Sequence, residues 1–187
     1  MPAITIVYHS GHGHTQHQAQ AVLDGAASVD GVTTSLITSD DAINNMAPLT
    51  DADAIIFGCP TYMGSASAPF KAFMDATSPL WAKQLWKDKI AAGFTNSGGL
   101  SGDKLSTLYQ LVTFAAQHQM IWVSQGIFGN EPSSVDGVSL NRIGSHLGAM
   151  AQSPQGQHKP EQPDLDTAHA FGARVAQATV RWNGRGE

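Results

Sequence analysis

A short loop near the amino terminus, here called loop one, combines the residue types that bind an anion. It consists of Ser10, Gly11, His12, Gly13, His14 and Thr15. An apolar run precedes it and helical spacing follows it, so backbone N–H groups and the positive end of a helix dipole converge there. The hydroxyl groups of Ser10 and Thr15 add two donors, and the loop contains no Lys or Arg. Neutral donors suit a permanently held phosphomonoester; the alternative is a plain strand-to-helix turn with Thr15 as its N-cap.

A second polar loop, loop two, follows another continuously apolar run. It consists of Pro60, Thr61, Tyr62, Met63 and Gly64. Pro60 is expected to end the strand, since proline cannot donate to a sheet ladder. An aromatic ring, a thioether and exposed backbone amides suit the edge and face of a flat ring. The alternative is a Gly/Pro turn whose side chains are incidental.

A third loop, loop three, has almost no apolar content and is rich in glycine. It runs from Thr95 to Asp103, and its candidate cofactor-binding residues are Thr95, Asn96, Ser97, Gly98, Gly99 and Leu100. Its backbone N–H and C=O groups are suited to the polar edge of a heterocycle. The alternative is a flexible turn in which Ser101 or Asp103 caps the next helix.

Short apolar strands alternate with amphipathic helices along the chain. Strands are predicted at 4–8, 32–37, 54–57, 90–94 and 120–123, and helices at 15–27, 40–46, 68–76, 104–118 and about 164–182. This alternation predicts an α/β fold of three layers with a doubly wound parallel five-stranded sheet, for which 2-1-3-4-5 is a common strand order. In that order strands one, three and four end side by side, so the three loops form one bowl. A phosphate, a polyol chain and a ring would fill it, and FMN has those three parts.

The length and the irregular segments predict how the chain is divided. With 187 residues it is expected to form a single FMN-binding domain over 1–187. The segment 124–162 is polar and rich in Gly, Ser and Pro, and it is too long for a plain connection. Such segments are usually functional, interfacial or disordered, and its proline-rich end is predicted to be the most mobile piece.

Composition excludes several classes of protein. The formal net charge is −5 with no basic patch, so nucleic acid is not an expected partner. Only 13% of residues are charged, which favours a homo-oligomer, either a dimer or a tetramer. Cys59 is the single cysteine and is predicted to be a small buried side chain. No apolar run approaches ~18 residues and no leader pattern is evident, so a cytoplasmic protein that does not span a membrane is expected.

Several of these motifs together resemble one family, the flavodoxin-like NAD(P)H:quinone oxidoreductases of the tryptophan-repressor-binding-protein (WrbA) family. The resemblance covers nearly the whole chain. Its marks are loop one, loop two, Leu80-Trp81, the Phe94-Thr-Asn-Ser-Gly98 run and His118-Gln-Met120. Tyr62 stands where the family usually has Arg, which leaves the preference between NADH and NADPH open.

The resemblance implies a cofactor, a reaction and three further site residues. FMN would be bound non-covalently, and NAD(P)H would reduce quinones by two electrons, in a protein that is often a tetramer. His12 would lie near the nicotinamide site and Trp81 beside the substrate slot. His118 would lie at the flavin ring as the catalytic residue, protonating or stabilising a reduced quinone oxygen. The alternative for His118 is a cation that stabilises the end of a helix.

Four histidines within the first 17 residues raise the possibility of a metal site. His9 and His17 fall on opposite sides of loop one, and no carboxylate or cysteine accompanies them. No native metal is therefore predicted.

The sequence leaves three candidate functions for the protein. The leading one is a flavin-dependent NAD(P)H dehydrogenase (quinone) in which nicotinamide and quinone use one slot in turn, giving ping-pong kinetics. The second is a flavodoxin-type electron carrier, which would need an acidic docking face. The third is a non-catalytic module that binds FMN or regulates a partner.

Overall fold

A computed structural model describes residues 1–129, 131–132 and 139–184, and a largely parallel sheet forms its middle layer. The strands are β1 (Ala3–Tyr8), β2 (Thr33–Thr38), β3 (Ala54–Tyr62), β4 (Ser65–Ala66), β5 (Ile90–Ser97), β6 (Ile121–Trp122), β7 (Glu131–Pro132), β8 (Ser139–Leu140) and β9 (Ala149–Gln152). The helices are α1 (His14–Ala27), α2 (Ser39–Asn44), α3 (Ala47–Thr50), α4 (Ala68–Ala76), α5 (Ser78–Ala82), α6 (Lys104–Gln117) and α7 (Gln162–Asn183).

The sheet follows the predicted strand order. Its main path is β2-β1-β3-β5-β6, and these strands pair in parallel. Two short strands are additional: β4 pairs antiparallel with β3, and β9 pairs parallel with β5. The prediction of a flavodoxin-like doubly wound sheet is confirmed.

The fifth position of the sheet is divided between two segments, which the sequence did not predict. β6 pairs with Ile90 and Ala91, whereas β9 pairs with the run from Phe94 to Ser97. The 124–162 segment is therefore not wholly irregular, because its residues 149–152 complete the sheet. Residues 130 and 133–138 of that segment lie outside the described residues.

Loop two is also more regular than expected, because β3 continues through Pro60 to Tyr62. β1 pairs with β3 only as far as Gly58. Beyond that point β3 has a parallel neighbour on one side only, which is where a strand tolerates proline. The prediction that Pro60 ends the strand is wrong.

Helices cover both faces of the sheet around two apolar clusters. α1 and α7 pack on one face with Ile4, Ile6 and Ile56 beneath them. The opposite face carries Ile55 and Phe57 under α4 and α6. Neighbouring strand residues therefore point to opposite faces, as period-two alternation requires. In the described part of the chain no helix has both the length and the apolar character needed to cross a membrane.

The close packing of α1 against α7 depends on two glycines. A Cβ at Gly25 would lie 1.8 Å from the backbone oxygen of His169, and one at Gly172 would lie 2.0 Å from that of Val22. The backbones of the two helices therefore pack in direct contact, and a side chain at either glycine would push them apart.

Candidate functional site

The three predicted loops meet at the carboxyl edge of the sheet, where β1, β3 and β5 end. Asn96 in loop three donates from Nδ2 to Thr15 Oγ1 in loop one, at 2.7 Å. Thr61 in loop two and Thr95 in loop three share a hydrogen bond of 2.9 Å between their hydroxyl groups. These side chains are all buried, so the loops are joined from below into one surface.

Loop one leaves the amino end of α1 open to an anion. Gly13 is the N-cap with φ +86° and makes no capping bond, so the alternative in which Thr15 is the cap is wrong. Ser10 Oγ accepts from the first-turn N–H of Gln16 at 3.2 Å. Within the described residues, the N–H groups of His14 and Thr15 donate to no other group. The Thr15 hydroxyl accepts from Asn96 and so keeps its own proton to donate. Free amides, hydroxyl groups and the helix dipole, with no carboxylate in the loop, fit a phosphate.

Tyr62 joins loop two to loop one. A Cβ at Gly11 would lie 2.5 Å from the Tyr62 hydroxyl, so Gly11 is required for this contact. The ring of His12 meets the ring of Tyr62 edge-on, with centroids 6.3 Å apart. Burial raises the pKa of Tyr62, so the phenol is neutral at pH 7. His12 and Tyr62 therefore form an aromatic wall above loop one that carries no anionic group.

Met63 is the most exposed part of loop two. It has φ +50° and its side chain is fully exposed, at the turn between β3 and β4. Leu100 in loop three is also exposed. Two exposed apolar side chains beside the polar loops give the site a surface on which a flat apolar ring can lie.

Loop three is folded around the ammonium group of Lys104, which the sequence analysis missed. Lys104 is the first residue of α6 and is completely buried. Its Nζ donates to Ser97 Oγ at 3.0 Å, to the Gly99 carbonyl at 2.9 Å and to the Leu100 carbonyl at 2.8 Å. The positive charge of a lysine at the amino end of a helix interacts unfavourably with the helix dipole. That mismatch was the one signal in the sequence that Lys104 has a special role.

The hydrogen bonds of Lys104 organise loop three, and the alternative in which Ser101 or Asp103 caps α6 by its side chain does not apply. Asp103 is the N-cap of α6 with φ 52°, and its side chain makes no capping bond. Gly102 has φ +54°, and a Cβ there would lie 2.0 Å from Ser97 Oγ. The loop is therefore a tightly packed structure around Lys104 and not a flexible turn. Burial lowers the pKa of Lys104 to about 8, partly offset by Asp164.

Comparison with known proteins identifies the family. The model of the NADPH-dependent FMN reductase family matches residues 9–132, which include loops one, two and three. The chain belongs to the NADPH-dependent FMN reductase family. It is 40% identical over 183 residues to flavodoxin FldP of Pseudomonas aeruginosa (strain UCBPP-PA14), covering 95% of this chain and 96% of that protein.

Solved structures that are similar to this chain are consistent with this family assignment. A flavodoxin, WrbA-like protein from Agrobacterium tumefaciens has a TM-score of 0.77 and 40% identity, with 97% of this chain and 99% of that chain covered. A flavodoxin from the domain Archaea, with a TM-score of 0.67 and 24% identity over 95% and 98% of the two chains, shows the fold alone. The predicted WrbA-like family is confirmed, and the chain is an FMN flavoprotein oxidoreductase with the flavodoxin-like fold.

Two expected site residues lie elsewhere: His118, expected at the flavin ring, and Trp81, expected beside the substrate slot. α6 starts at the carboxyl end of β5 and runs back to its amino end, where Ile121 pairs with Ile90. His118 follows α6 and therefore lies at the amino edge of the sheet, opposite the three loops. Trp81 in α5 lies at the same edge, because Thr77 at the start of α5 bonds to His118. Within one chain, neither residue borders the bowl, which corrects both expectations.

His118 is instead part of the apolar core. Its ring lies 4.4 Å from that of Trp86 and 4.9 Å from that of Phe114, between centroids. Thr77 Oγ1 donates to the Met74 carbonyl, so the 2.9 Å bond between Thr77 and His118 must be donated by Nε2. Nδ1 is then an unprotonated, buried nitrogen for which the described residues provide no partner. Burial lowers the pKa of His118 to about 4, which leaves it neutral at pH 7 and unsuited to donate a proton.

Two of the four amino-terminal histidines, His9 and His14, bond to different partners. His9 Nδ1 bonds to Ser67 at 2.8 Å, and His14 Nε2 bonds to the Gln157 carbonyl at 2.7 Å. Among the described residues, no three His, Cys, Asp or Glu side chains are grouped closely enough to hold a metal ion. Cys59 is completely buried, and burial raises its pKa to about 12.

A groove of about 1460 Å³ lies outside the bowl and reaches loop three from the side. It runs along α6 between α4 and the segment 142–147. Leu100 and Ser101 form its upper end, and the exposed side chains of Leu105 and Tyr109 line it further down. An apolar molecule can therefore approach loop three along this face of α6.

Proposed function

We propose that the protein is an FMN-dependent NAD(P)H:quinone oxidoreductase that reduces quinones to hydroquinones by two electrons. The observation that carries this proposal is the pair of free N–H groups at the amino end of α1, those of His14 and Thr15 among the described residues. The bond between Thr15 and Asn96 joins them to the loop suited to a heterocycle. Family membership supports FMN as the cofactor and a reduced nicotinamide as the electron donor. Quinone is the substrate class we infer from the exposed apolar surface beside the loops.

Each loop has a distinct part in holding the cofactor. The free amides of α1 and the hydroxyls of Ser10 and Thr15 would hold the phosphate without a cationic side chain. Thr61, Tyr62 and loop three would then hold the rest of the molecule. When bound, FMN supplies the hydride chemistry, and the protein supplies position and electrostatics.

We infer that nicotinamide and quinone share one apolar slot beside the bowl. Met63 and Leu100 present exposed apolar side chains, and the rings of His12 and Tyr62 add an aromatic surface beside loop one. A nicotinamide ring and a quinone are both flat, so each would occupy this slot in turn. We therefore expect ping-pong kinetics, in which NAD(P)⁺ leaves before the quinone binds.

A flavodoxin-type electron carrier is the second candidate, because a relative that is 40% identical is named a flavodoxin. A carrier exchanges single electrons with protein partners and depends on charge to dock. The chain has a formal net charge of only −5 and exposes apolar side chains at the bowl, which favours a small flat substrate. We also propose a homo-oligomer, since few residues are charged.

Steady-state kinetics separate the two candidates. The FMN-loaded protein should oxidise NADH or NADPH in the presence of benzoquinone, and double-reciprocal plots at several quinone concentrations should be parallel. Thr61→Val, which removes a buried hydroxyl of loop two, should weaken FMN binding while a matched surface change, Thr113→Val, should not. Intersecting lines would contradict the shared slot, and turnover only with a one-electron protein acceptor would favour the carrier.

A further inference from the structure

Lys104 is a buried cation whose hydrogen bonds all go to one loop. Its three acceptors are Ser97 Oγ and the carbonyl oxygens of Gly99 and Leu100, at 2.8–3.0 Å. Ser97 Oγ in turn donates to the Gly99 carbonyl at 3.0 Å. A buried ammonium is costly unless such bonds satisfy it, and a neutral side chain would pack there at lower cost. The presence of a charge at this point therefore calls for a reason beyond packing.

The bonds of Lys104 determine which way the backbone of loop three faces. Because a peptide bond is planar and trans, the N–H of each residue points away from the carbonyl of the residue before it. The carbonyls of Gly99 and Leu100 point inward to Lys104, so the N–H groups of Leu100 and Ser101 point outward. Within the part of the chain that the structure describes, neither N–H donates to a protein acceptor, and both residues are exposed.

We propose that Lys104 is a positioning residue for the flavin: it turns two amides of loop three outward to the polar edge of the ring and places a positive charge behind them. That edge gains negative charge when the ring accepts two electrons from NAD(P)H. Lys104 would thus strengthen binding of the reduced cofactor relative to the oxidised one, which raises the two-electron midpoint potential. The inference rests on the proposed function, since it requires FMN in the bowl.

The charges around Lys104 leave its positive field in place. Asp164 is the nearby acid, but Arg142 holds it in a two-pronged ion pair with N–O distances of 2.8 and 2.7 Å. Asp164 also accepts from the backbone N–H of Gln152 at 2.8 Å. Arg142 also lies 3.5 Å from the exposed side chain of Glu161. The buried Asp164 carboxylate is therefore paired by Arg142 and by the Gln152 N–H. The amino end of α6, which begins at Lys104, adds positive potential in the same direction.

Three variants of Lys104 and one control test this role in the full-length, FMN-loaded protein. Lys104→Met removes both charge and donors, Lys104→Gln keeps a donor without the charge, and Lys104→Arg keeps the charge. Lys89→Met is the matched control, because Lys89 also donates from Nζ to two carbonyls, those of Thr50 and Ala52, at the far edge of the sheet. The measurements are the dissociation constants of oxidised and reduced FMN, the two-electron midpoint potential and the thermal midpoint.

The proposal predicts a redox effect that a structural lysine would not produce. Lys104→Gln should bind reduced FMN about tenfold more weakly relative to oxidised FMN, which lowers the midpoint potential by about 30 mV. Lys104→Met should show the same shift with weaker binding of both forms, and Lys104→Arg should restore the wild-type potential. Lys89→Met should lower only the thermal midpoint.

Other outcomes overturn the inference without affecting the proposed function. If Lys104→Gln lowers the thermal midpoint but leaves the potential and both dissociation constants at wild-type values, Lys104 is structural only. The same conclusion follows if Lys89→Met shifts the potential equally. If the wild-type protein itself fails to bind FMN, the proposed function fails instead, so the two failures are distinguishable.

Discussion

Replacing His118 with phenylalanine should remove a loss of stability that the wild-type protein shows in mild acid. His118 is buried between Trp86 and Phe114 and holds an unprotonated Nδ1 for which the described residues offer no partner. Protonation would place an unpaired charge in the apolar core. In the unfolded chain the protonated His118 is solvated and carries no such cost. His118 therefore binds its proton at a higher pH in the unfolded chain than in the folded protein.

The magnitude follows from the two pKa values. Burial lowers the pKa of His118 from 6.5 to about 4. Its folded value is depressed, so the unfolded state binds more protons below pH 6.5 and the folded protein becomes less stable as the pH falls. At 1.36 kcal/mol for each pKa unit, the contribution is about 2 kcal/mol between pH 7.5 and pH 5, and about 3 kcal/mol by pH 4.

Urea unfolding at pH 7.5 and pH 5, at one fixed FMN concentration, measures this contribution. The wild type should lose about 2 kcal/mol more than His118→Phe over that interval. His17→Gln, which removes an exposed histidine of α1, is the control and should keep the wild-type pH dependence. His118→Phe should also keep kcat with benzoquinone at pH 7. An unchanged pH dependence, or a loss of kcat with unchanged stability, would refute the structural role assigned to His118.

Three further substitutions test the fold and the site. Gly25→Ala would place a Cβ 1.8 Å from the His169 backbone oxygen, so it should lower the free energy of unfolding by about 2 kcal/mol in urea titrations. Asp164→Asn should lower the free energy of unfolding by about 1–3 kcal/mol, because Asp164, the buried partner of Arg142, loses its charge. Thr15→Val should weaken FMN binding about tenfold in fluorescence titrations, because it removes one hydroxyl donor to the phosphate. An unchanged FMN affinity in Thr15→Val would count against loop one as the phosphate site.

The sheet and its polar edge could be predicted because the signals are local. Apolar strands alternate with helical spacing, and each of loops one, two and three lies at the carboxyl end of a strand. Parallel strand order then brings the loops together without any knowledge of side-chain contacts. β9 escaped prediction because Ala149–Gln152 is short and lies within the polar segment 124–162, which is rich in Gly, Ser and Pro.

The errors at single residues have two physical causes. The placement of His118 and Trp81 followed a family pattern. The direction of the chain argues against that placement within one chain. A helix that follows a strand runs back along the sheet, so a residue after the helix lies at the opposite edge from the loop before it. The role of Lys104 depends on where a long side chain goes in the folded protein. Its charge is satisfied by the carbonyls of loop three, and sequence spacing gives no measure of such contacts.

The central claim is tested most directly by an anaerobic spectral titration of the FMN-loaded protein. NADPH or NADH should bleach the flavin absorbance with one equivalent per site, and one equivalent of benzoquinone should restore it fully. A protein that stays colourless with added FMN, or a bound flavin that neither nicotinamide reduces, would contradict the proposed oxidoreductase.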